Sequence, residues 1–228
     1  MMKIHESSLR GRTRIDWLDS RHSFSFGNFH DTARMGFRAL RVINEDHIAG
    51  KNGFPPHNHA HMDIITIVLT GGLAHRDSLG NGSIIHPGEI QHMYAGPGIT
   101  HSEMNPADES VHLLQIWIQP DRPVTNASYS QHEIDAPSVE NRFGVIAGEG
   151  SNVPLQSDTR LLLARLGEGE TATHGLGSGR GAWVQVMKGD VQIDGQSLSA
   201  GDGAEIEEVG EVAVKAKAPA ELLLFDLG

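Results

Sequence analysis

Residues 68–73 read Val-Leu-Thr-Gly-Gly-Leu, and residues 186–191 read Val-Met-Lys-Gly-Asp-Val, an offset of 118. Each segment places apolar residues on both sides of a glycine turn, which is typical of a β-hairpin. A second pair of segments, 85–90 and 198–203, matches at an offset of 113. Two matches in the same order predict an internal repeat, and therefore two related β-domains in one chain.

The rest of the chain has the same β-type pattern. Short runs rich in Val, Ile and Leu recur between Gly, Pro, Asn and Asp residues, as they do in sandwiches and barrels. We therefore expect an all-β protein with domains at residues 1–135 and 136–228. Helix is expected only in short stretches, near residues 128–134 and at the start of the second domain, and residues 131–141 are the predicted linker.

Composition excludes several classes of protein. The 228 residues carry a net charge of -11 and include no cysteine, which rules out disulfides, thiolate metal sites and a cysteine nucleophile. The negative charge disfavours direct binding to nucleic acid, although contact through a protein partner stays open. No apolar run approaches the roughly 20 residues that span a bilayer. We therefore expect a cytoplasmic protein that does not bind membranes.

Histidine is distributed unevenly along the chain. Thirteen of the 14 histidines precede residue 136, and only His174 follows it. Because histidine is both a metal ligand and an acid-base group, we expect the chemistry of the protein to lie in the first domain.

Two segments of that domain, residues 53–63 and 96–105, carry the candidate site. In a β-strand, residues i and i+2 point to the same face about 6.6 Å apart. His57 and His59 then form one pair, and His101 and Glu103 form another. If the two strands face each other, three imidazoles and one carboxylate converge with coordination positions left open. Such a site suits a divalent first-row metal, with iron, nickel, copper, manganese, cobalt and zinc all possible.

The two motifs resemble those of the cupin superfamily, and their surroundings resemble the bacterial quercetinase-type members of the pirin family. The resemblance covers most of residues 17–120, including WLDSRHSFSFGNF, GFPPHNHAHMDIITIVLTG and PGEIQHMYAGPGITHSEMNP. It implies two tandem cupin barrels of the jelly-roll, or double-stranded β-helix, type. Two departures are Asp63, where pirins usually carry Glu, and Gly96, which replaces a Pro of the general cupin motif; neither is one of the implied ligands. The implied ligands of a single metal in the first barrel, with iron as the first expectation, are His57, His59, His101 and Glu103.

The resemblance also implies an activity. It points to a metal-dependent dioxygenase of the quercetin 2,3-dioxygenase type, which opens the ring of quercetin-like flavonols with O2 and releases carbon monoxide. Glu103 would then serve as both ligand and catalytic base, and the physiological substrate stays open. The alternative is a non-catalytic, iron-binding pirin that acts as a redox-sensitive regulator of a protein partner. An open, partly apolar cavity beside the metal would favour the enzyme.

The second domain is expected to be a degenerate cupin. Shifting the four candidate ligands forward by the repeat offsets reaches only Gly175, Gly177, Val214 and Ala216. His174 is one residue out of register, so we expect its side chain on the opposite face of its strand. The histidines near the other strands of the first barrel, such as His75 and His92, are expected to be hydrogen-bonded rather than metal ligands.

Overall fold

The computed structural model describes residues 1–122 and 125–228. Its regular structure is almost entirely β, which confirms the predicted all-β fold. Helix is limited to a single 3-10 turn, Ser7–Leu9, and to α1, Ala136–Val139, within those residues. The helix predicted near residues 128–134 is wrong, because Ser128–Glu133 pairs along its whole length with another strand. No helix in the described part of the chain is long and apolar enough to cross a membrane.

The chain forms two compact units. The N-terminal unit comprises Gly11–Ile134 and Leu155–Ser157, and the C-terminal unit comprises Met1–Arg10, Asp135–Pro154 and Asp158–Gly228. This grouping differs from a division into residues 1–135 and 136–228 mainly at the N-terminus. There the first strand pairs antiparallel with a strand some 200 residues later, Met2 opposite Ile206.

Two antiparallel sheets build the N-terminal unit. One has the strand order β5-β10-β7-β8 and the other the order β12-β9-β6-β11-β4-β3-β2. Their strands are β2 (Gly11–Ile15), β3 (Leu18–His22), β4 (Leu40–Ile48), β5 (Gly53–His59), β6 (Asp63–Thr70), β7 (Leu73–Asp77), β8 (Gly82–Ile85), β9 (Glu89–Tyr94), β10 (Ile99–Met104), β11 (Val111–Ile118) and β12 (Ser128–Glu133).

The C-terminal unit repeats this plan. Its sheets have the orders β15-β20-β17-β18 and β1-β19-β16-β21-β14-β13. Strands β4 to β11 of the N-terminal unit correspond in order to strands β14 to β21 of the C-terminal unit, as the sequence repeat predicts. Its strands are β1 (Met2–His5), β13 (Gly144–Ala147), β14 (Thr159–Leu166), β15 (Thr171–Gly175), β16 (Gly181–Lys188), β17 (Asp190–Ile193), β18 (Gln196–Ser199), β19 (Gly203–Ile206), β20 (Glu211–Ala216) and β21 (Ala220–Leu227).

The interiors of the two units differ. The C-terminal unit contains a large hydrophobic cluster, with Val184, Val214, Leu222 and Leu224 among its fully buried side chains. In the N-terminal unit a core that includes Leu73 fills only part of the interior. The remainder is lined by buried polar groups, which leaves room for a site.

A buried carboxylate fastens residues 155–157 to the N-terminal unit. Asp63 on β6 is fully buried. Its Oδ1 accepts a hydrogen bond of 2.7 Å from His92 Nε2, and its Oδ2 accepts one of 2.9 Å from the backbone N–H of Gln156. Asp63 therefore has a structural role, and His92 is hydrogen-bonded, as we expected.

We expect Asp63→Ala to lower the free energy of unfolding by about 3 kcal/mol, because removal of the carboxylate leaves the buried His92 ring and the partly buried Gln156 N–H without acceptors. Urea denaturation at pH 7 measures the change, and Asp16→Ala, at an exposed position, is the control. Equal stability of the two variants would contradict this role.

Candidate metal centre

The two candidate motifs lie on neighbouring antiparallel strands, β5 and β10. His57 is opposite His101, and His59 is opposite Ile99. The register shifts between His101 and Glu103, so that Phe54 rather than Pro55 faces Glu103. β5 is an edge strand, where prolines are tolerated because one side of the strand needs no backbone donors.

The three histidines converge. Their ring centroids are 4.8 Å apart for His57 and His59, 4.4 Å for His57 and His101, and 4.9 Å for His59 and His101. One nitrogen from each ring lies within 4.8 Å of the other two. His57 Nδ1 donates to the backbone carbonyl of Pro55 at 2.9 Å, which leaves Nε2 as the atom able to bind a metal.

In the part of the chain that the structure describes, the His101 ring is buried without hydrogen-bond partners. Both of its ring nitrogens are buried and have no hydrogen-bond partner within the described residues, an arrangement that is costly for a polar side chain. Burial, followed by the neighbouring His57 and His59, lowers the pKa of His101 to about 3. Burial, followed by His57, lowers that of His59 to about 4. These imidazoles are therefore neutral at pH 7, with lone pairs available.

Glu103 lies beside this group on the buried face of β10. Gln115 Nε2 donates to both of its carboxylate oxygens at 2.9 Å, and Thr66 Oγ1 donates to Gln115 Oε1 at 3.0 Å. Burial raises the pKa of Glu103 to about 7, although the hydrogen bonds from Gln115 and Thr66 oppose the shift. A carboxylate oxygen lies within 4.8 Å of nitrogens of His101 and His75. Glu103 therefore joins the three histidines through His101.

His75 borders the site without joining the three-histidine group. It lies opposite Glu103 on β7, donates from Nε2 to Asp77 at 3.1 Å, and stacks on Tyr129 with ring centroids 4.6 Å apart. These contacts agree with the hydrogen-bonded role expected from the sequence. Its position next to Glu103 was not expected.

A second cluster, Glu45, His47 and His112, also brings three donor atoms within 4.8 Å. The two imidazoles are stacked 3.9 Å apart with planes only 16° from parallel, so their in-plane lone pairs do not converge on one point. His112 Nε2 instead donates to Glu45 Oε1 at 2.9 Å. This arrangement is a hydrogen-bonded pair with a stacked neighbour.

A cavity of about 330 Å³ opens directly onto the site. His57, His59 and Glu103 form one wall, and apolar side chains, including Phe54 and Trp117, form the sides. Its size and mostly apolar lining are those of a small-molecule site. The remaining lining residues are Thr13, Leu18, Ser20, His22, Phe26, Gly27, Asn28, Asn44, Asp46, Ile64 and Gln115.

The equivalent face of the C-terminal unit has no such group among the described residues. Val214 and Ala216, at positions predicted from the repeat offset, are buried apolar residues. The prediction for His174 is wrong. It lies opposite Val212 on the same face as buried Ala172, because the observed β15–β20 register differs from the repeat offset.

His174 has a structural partner in that interior. Its Nε2 donates to the fully buried Asp226 at 2.8 Å. The same carboxylate accepts hydrogen bonds from Arg160 and Arg180. A compensated charge cluster therefore occupies this part of the second barrel.

The sequence pattern did not predict the contacts of Gln115 and Thr66 near Glu103. Gln115 sits in the apolar run HLLQIWI, where alternation puts it on the same face as Leu113 and Trp117. A lone amide on an inward, otherwise apolar face was the signal available. Its partner Glu103, on a strand of the other sheet, could not be identified from this signal.

Together, the tandem jelly-roll units and the cluster of three histidines with a buried glutamate define a bicupin with a candidate metal centre in its N-terminal unit. The model of the family described as Pirin matches residues 4–118, and that described as the quercetinase C-terminal cupin domain matches residues 146–227. The chain belongs to the pirin family.

Curated relatives match along the whole chain. A protein named quercetin 2,3-dioxygenase from Escherichia coli K12 is 40% identical, covering 100% of this chain and 99% of its own. A pirin-like protein from Caulobacter vibrioides is 38% identical, with 92% of each chain covered. The crystal structure of the bacterial pirin YhhW from E. coli in complex with nickel(II) superposes with a TM-score of 0.94 at 39% identity, covering 100% of this chain and 99% of its own.

We expect Glu103 to make the stability of the metal-free protein depend on pH. Its folded pKa of about 7 exceeds the ordinary value of 4.5, so the folded state binds the extra proton, and stability falls as pH rises from about 4.5 to about 7. Glu103→Gln removes this loss. Between pH 4 and pH 8, the free energy of unfolding of the variant should therefore rise by about 3 kcal/mol relative to that of wild type.

Urea denaturation in the presence of a chelator measures this change. Glu109→Gln, at an exposed position, should stay parallel to wild type at every pH. A Glu103→Gln curve that also ran parallel to wild type would show that Glu103 titrates as an ordinary carboxyl.

Proposed function

We propose that the protein is a metal-dependent dioxygenase that opens the ring of quercetin-like flavonols with O2. The single observation that supports it most strongly is the apolar cavity bordered by His57, His59 and Glu103. The names of relatives that match over the full chain agree with this activity.

We propose that one divalent metal binds to His57, His59, His101 and Glu103. The unpartnered nitrogens of His101 and the neutral state of the imidazoles fit this role. Imidazole and carboxylate ligands bind several first-row metals. Iron is the expectation from family resemblance, and the nickel(II) complex of a pirin 39% identical makes nickel the other leading candidate.

The residues around the site suit proton removal from a substrate hydroxyl. When bound, a divalent metal supplies Lewis acidity, which makes a hydroxyl that it contacts more acidic. Glu103 is the carboxyl group on the cavity wall next to the histidines, and it accepts the proton of the flavonol 3-hydroxyl. Overall, one flavonol and one O2 yield one depside and one carbon monoxide.

Gln115 positions the base. By donating to both oxygens of Glu103, it restricts rotation of the carboxylate and counteracts part of the cost of burying its charge. Thr66 orients the Gln115 amide by donating to its oxygen. Both contacts act on Glu103 rather than on the substrate.

The cavity walls bind the flavonol rings and exclude water. Phe26, Phe54, Ile64 and Trp117 supply apolar and aromatic surface, which suits a flat aromatic ligand. Exclusion of water strengthens the electrostatic interactions of the site and limits side reactions.

The same four ligands could serve a redox-sensitive regulator of a protein partner. A regulator needs no cavity beside its metal, so the cavity favours the enzyme. The cytoplasmic location and the existence of a protein partner stay predictions.

We expect Glu103→Gln to lower kcat for quercetin by at least about 100-fold, the usual contribution of a general base. The measurement is the loss of quercetin absorbance together with O2 consumption by the metal-loaded variant, with metal content determined by elemental analysis. Loss of turnover with metal retained supports the base role.

Two variants complete this test. His101→Ala should lose both metal and turnover, whereas Glu109→Gln should retain both. Wild-type metal-loaded protein that consumed no O2 with quercetin would refute the proposed activity, and full turnover by Glu103→Gln would refute the role of the base.

A further inference from the structure

The cavity has a second polar wall, separate from the histidine cluster. It is formed by strands β2, β3 and β4, which precede the metal motifs in the chain. Its members line the cavity, and the four on β3 and β4 are each at most 3% exposed. The residues of this polar wall are Thr13, Ser20, His22, Asn44 and Asp46.

His22 is held rigidly at the centre of the polar wall. Its Nδ1 donates to Asn44 Oδ1 at 2.7 Å, and its Nε2 is hydrogen-bonded to Thr13 Oγ1 at 2.8 Å. These contacts leave Asn44 Nδ2 without a hydrogen-bond partner in the described part of the chain. Asn44 lines the cavity, and this amide therefore offers a donor to a ligand there.

The strand order sets the distance between the polar wall and the metal centre. Asn44 is directly opposite Gln115, and His22 is opposite Asn44 on the next strand. With adjacent strands about 4.8 Å apart, Asn44 and His22 lie about 5 and 10 Å from the strand whose Gln115 holds Glu103. The polar wall therefore begins one strand away from Gln115 and continues onto the next strand.

Aromatic rings connect the two walls. The His59 ring lies 4.9 Å from Trp117, Trp117 lies 5.4 Å from Phe26, and Phe26 lies 5.3 Å from His22. Apolar faces therefore extend from the metal centre to the polar wall. Water is a poor occupant of the middle of such a cavity, whereas a flat aromatic molecule with polar groups at both ends suits it.

We infer that the polar wall is a subsite for phenolic hydroxyl groups on a substrate ring that does not contact the metal centre. Asn44 Nδ2 donates to the phenol oxygen. The subsite would select polyhydroxylated flavonols over those that carry only the 3-hydroxyl. This inference rests on the proposed function, since it assigns a substrate class to the same cavity.

Anaerobic binding of two flavonols to the nickel(II)-loaded protein tests the subsite without requiring turnover. Quercetin carries hydroxyls on both outer rings, and 3-hydroxyflavone carries none there. We expect wild type to bind quercetin at least about 10-fold more tightly, because an analogue without the hydroxyls leaves buried polar groups unpaired.

Single substitutions test which residues cause the difference in affinity between the two flavonols. Asn44→Leu, which keeps the branching at Cγ but removes both polar atoms, should reduce the ratio of the two Kd values to within about 2-fold, and His22→Phe should act in the same direction. Glu45→Gln is the matched control, because its side chain lies next to Asn44 in sequence but on the other face of β4, and it should keep the wild-type ratio. Circular dichroism checks that each variant is folded.

A wild-type ratio near 1 would overturn the subsite, as would an unchanged ratio in folded Asn44→Leu. Aerobic assays separate this result from the proposed function. If neither flavonol is turned over while the binding ratio holds, the dioxygenase proposal fails and the subsite stands. If both are turned over and bound equally, the dioxygenase stands and the subsite is wrong.

Discussion

A carboxyl group buried beside neutral imidazoles is the constraint on which the N-terminal unit depends. Burial disfavours the charge of Glu103 and raises its pKa to about 7, and Gln115 offsets only part of that cost. The unpartnered nitrogens of His101 lie next to it. A cation bound here would satisfy both groups at once, so the features that destabilise the metal-free barrel are those that favour metal binding.

The two units share one strand topology but have different interior side chains. In the C-terminal unit, Val214 and Ala216 are buried on β20, the counterpart of β10. His174, on the inward face of β15, is bound to Asp226. The N-terminal unit instead leaves part of its interior polar and open, which lowers the stability available from packing and provides a cavity. Function therefore resides in the interior side chains rather than in the shared strand order.

The sequence predicts the barrels and the three-histidine cluster well, because period-2 alternation in β5 and β10 determines which side chains share a face. It does not predict the β1–β19 pairing, because no local sequence pattern identifies a partner strand some 200 residues away. The error for His174 has a related cause: a repeat offset shows which strands correspond but not their register. Gln115 was missed because its contact with Glu103 joins strands of different sheets.

The most direct test of the metal centre is the number of protons released when nickel(II) binds to metal-free protein, measured calorimetrically in buffers of different ionisation enthalpy. With a Glu103 pKa of about 7, wild type should release nearly one proton more than Glu103→Gln at pH 6.0, and this difference should vanish at pH 8.5. Equal proton release by the two proteins at pH 6.0 would contradict the assignment of Glu103 as a buried, metal-linked carboxyl.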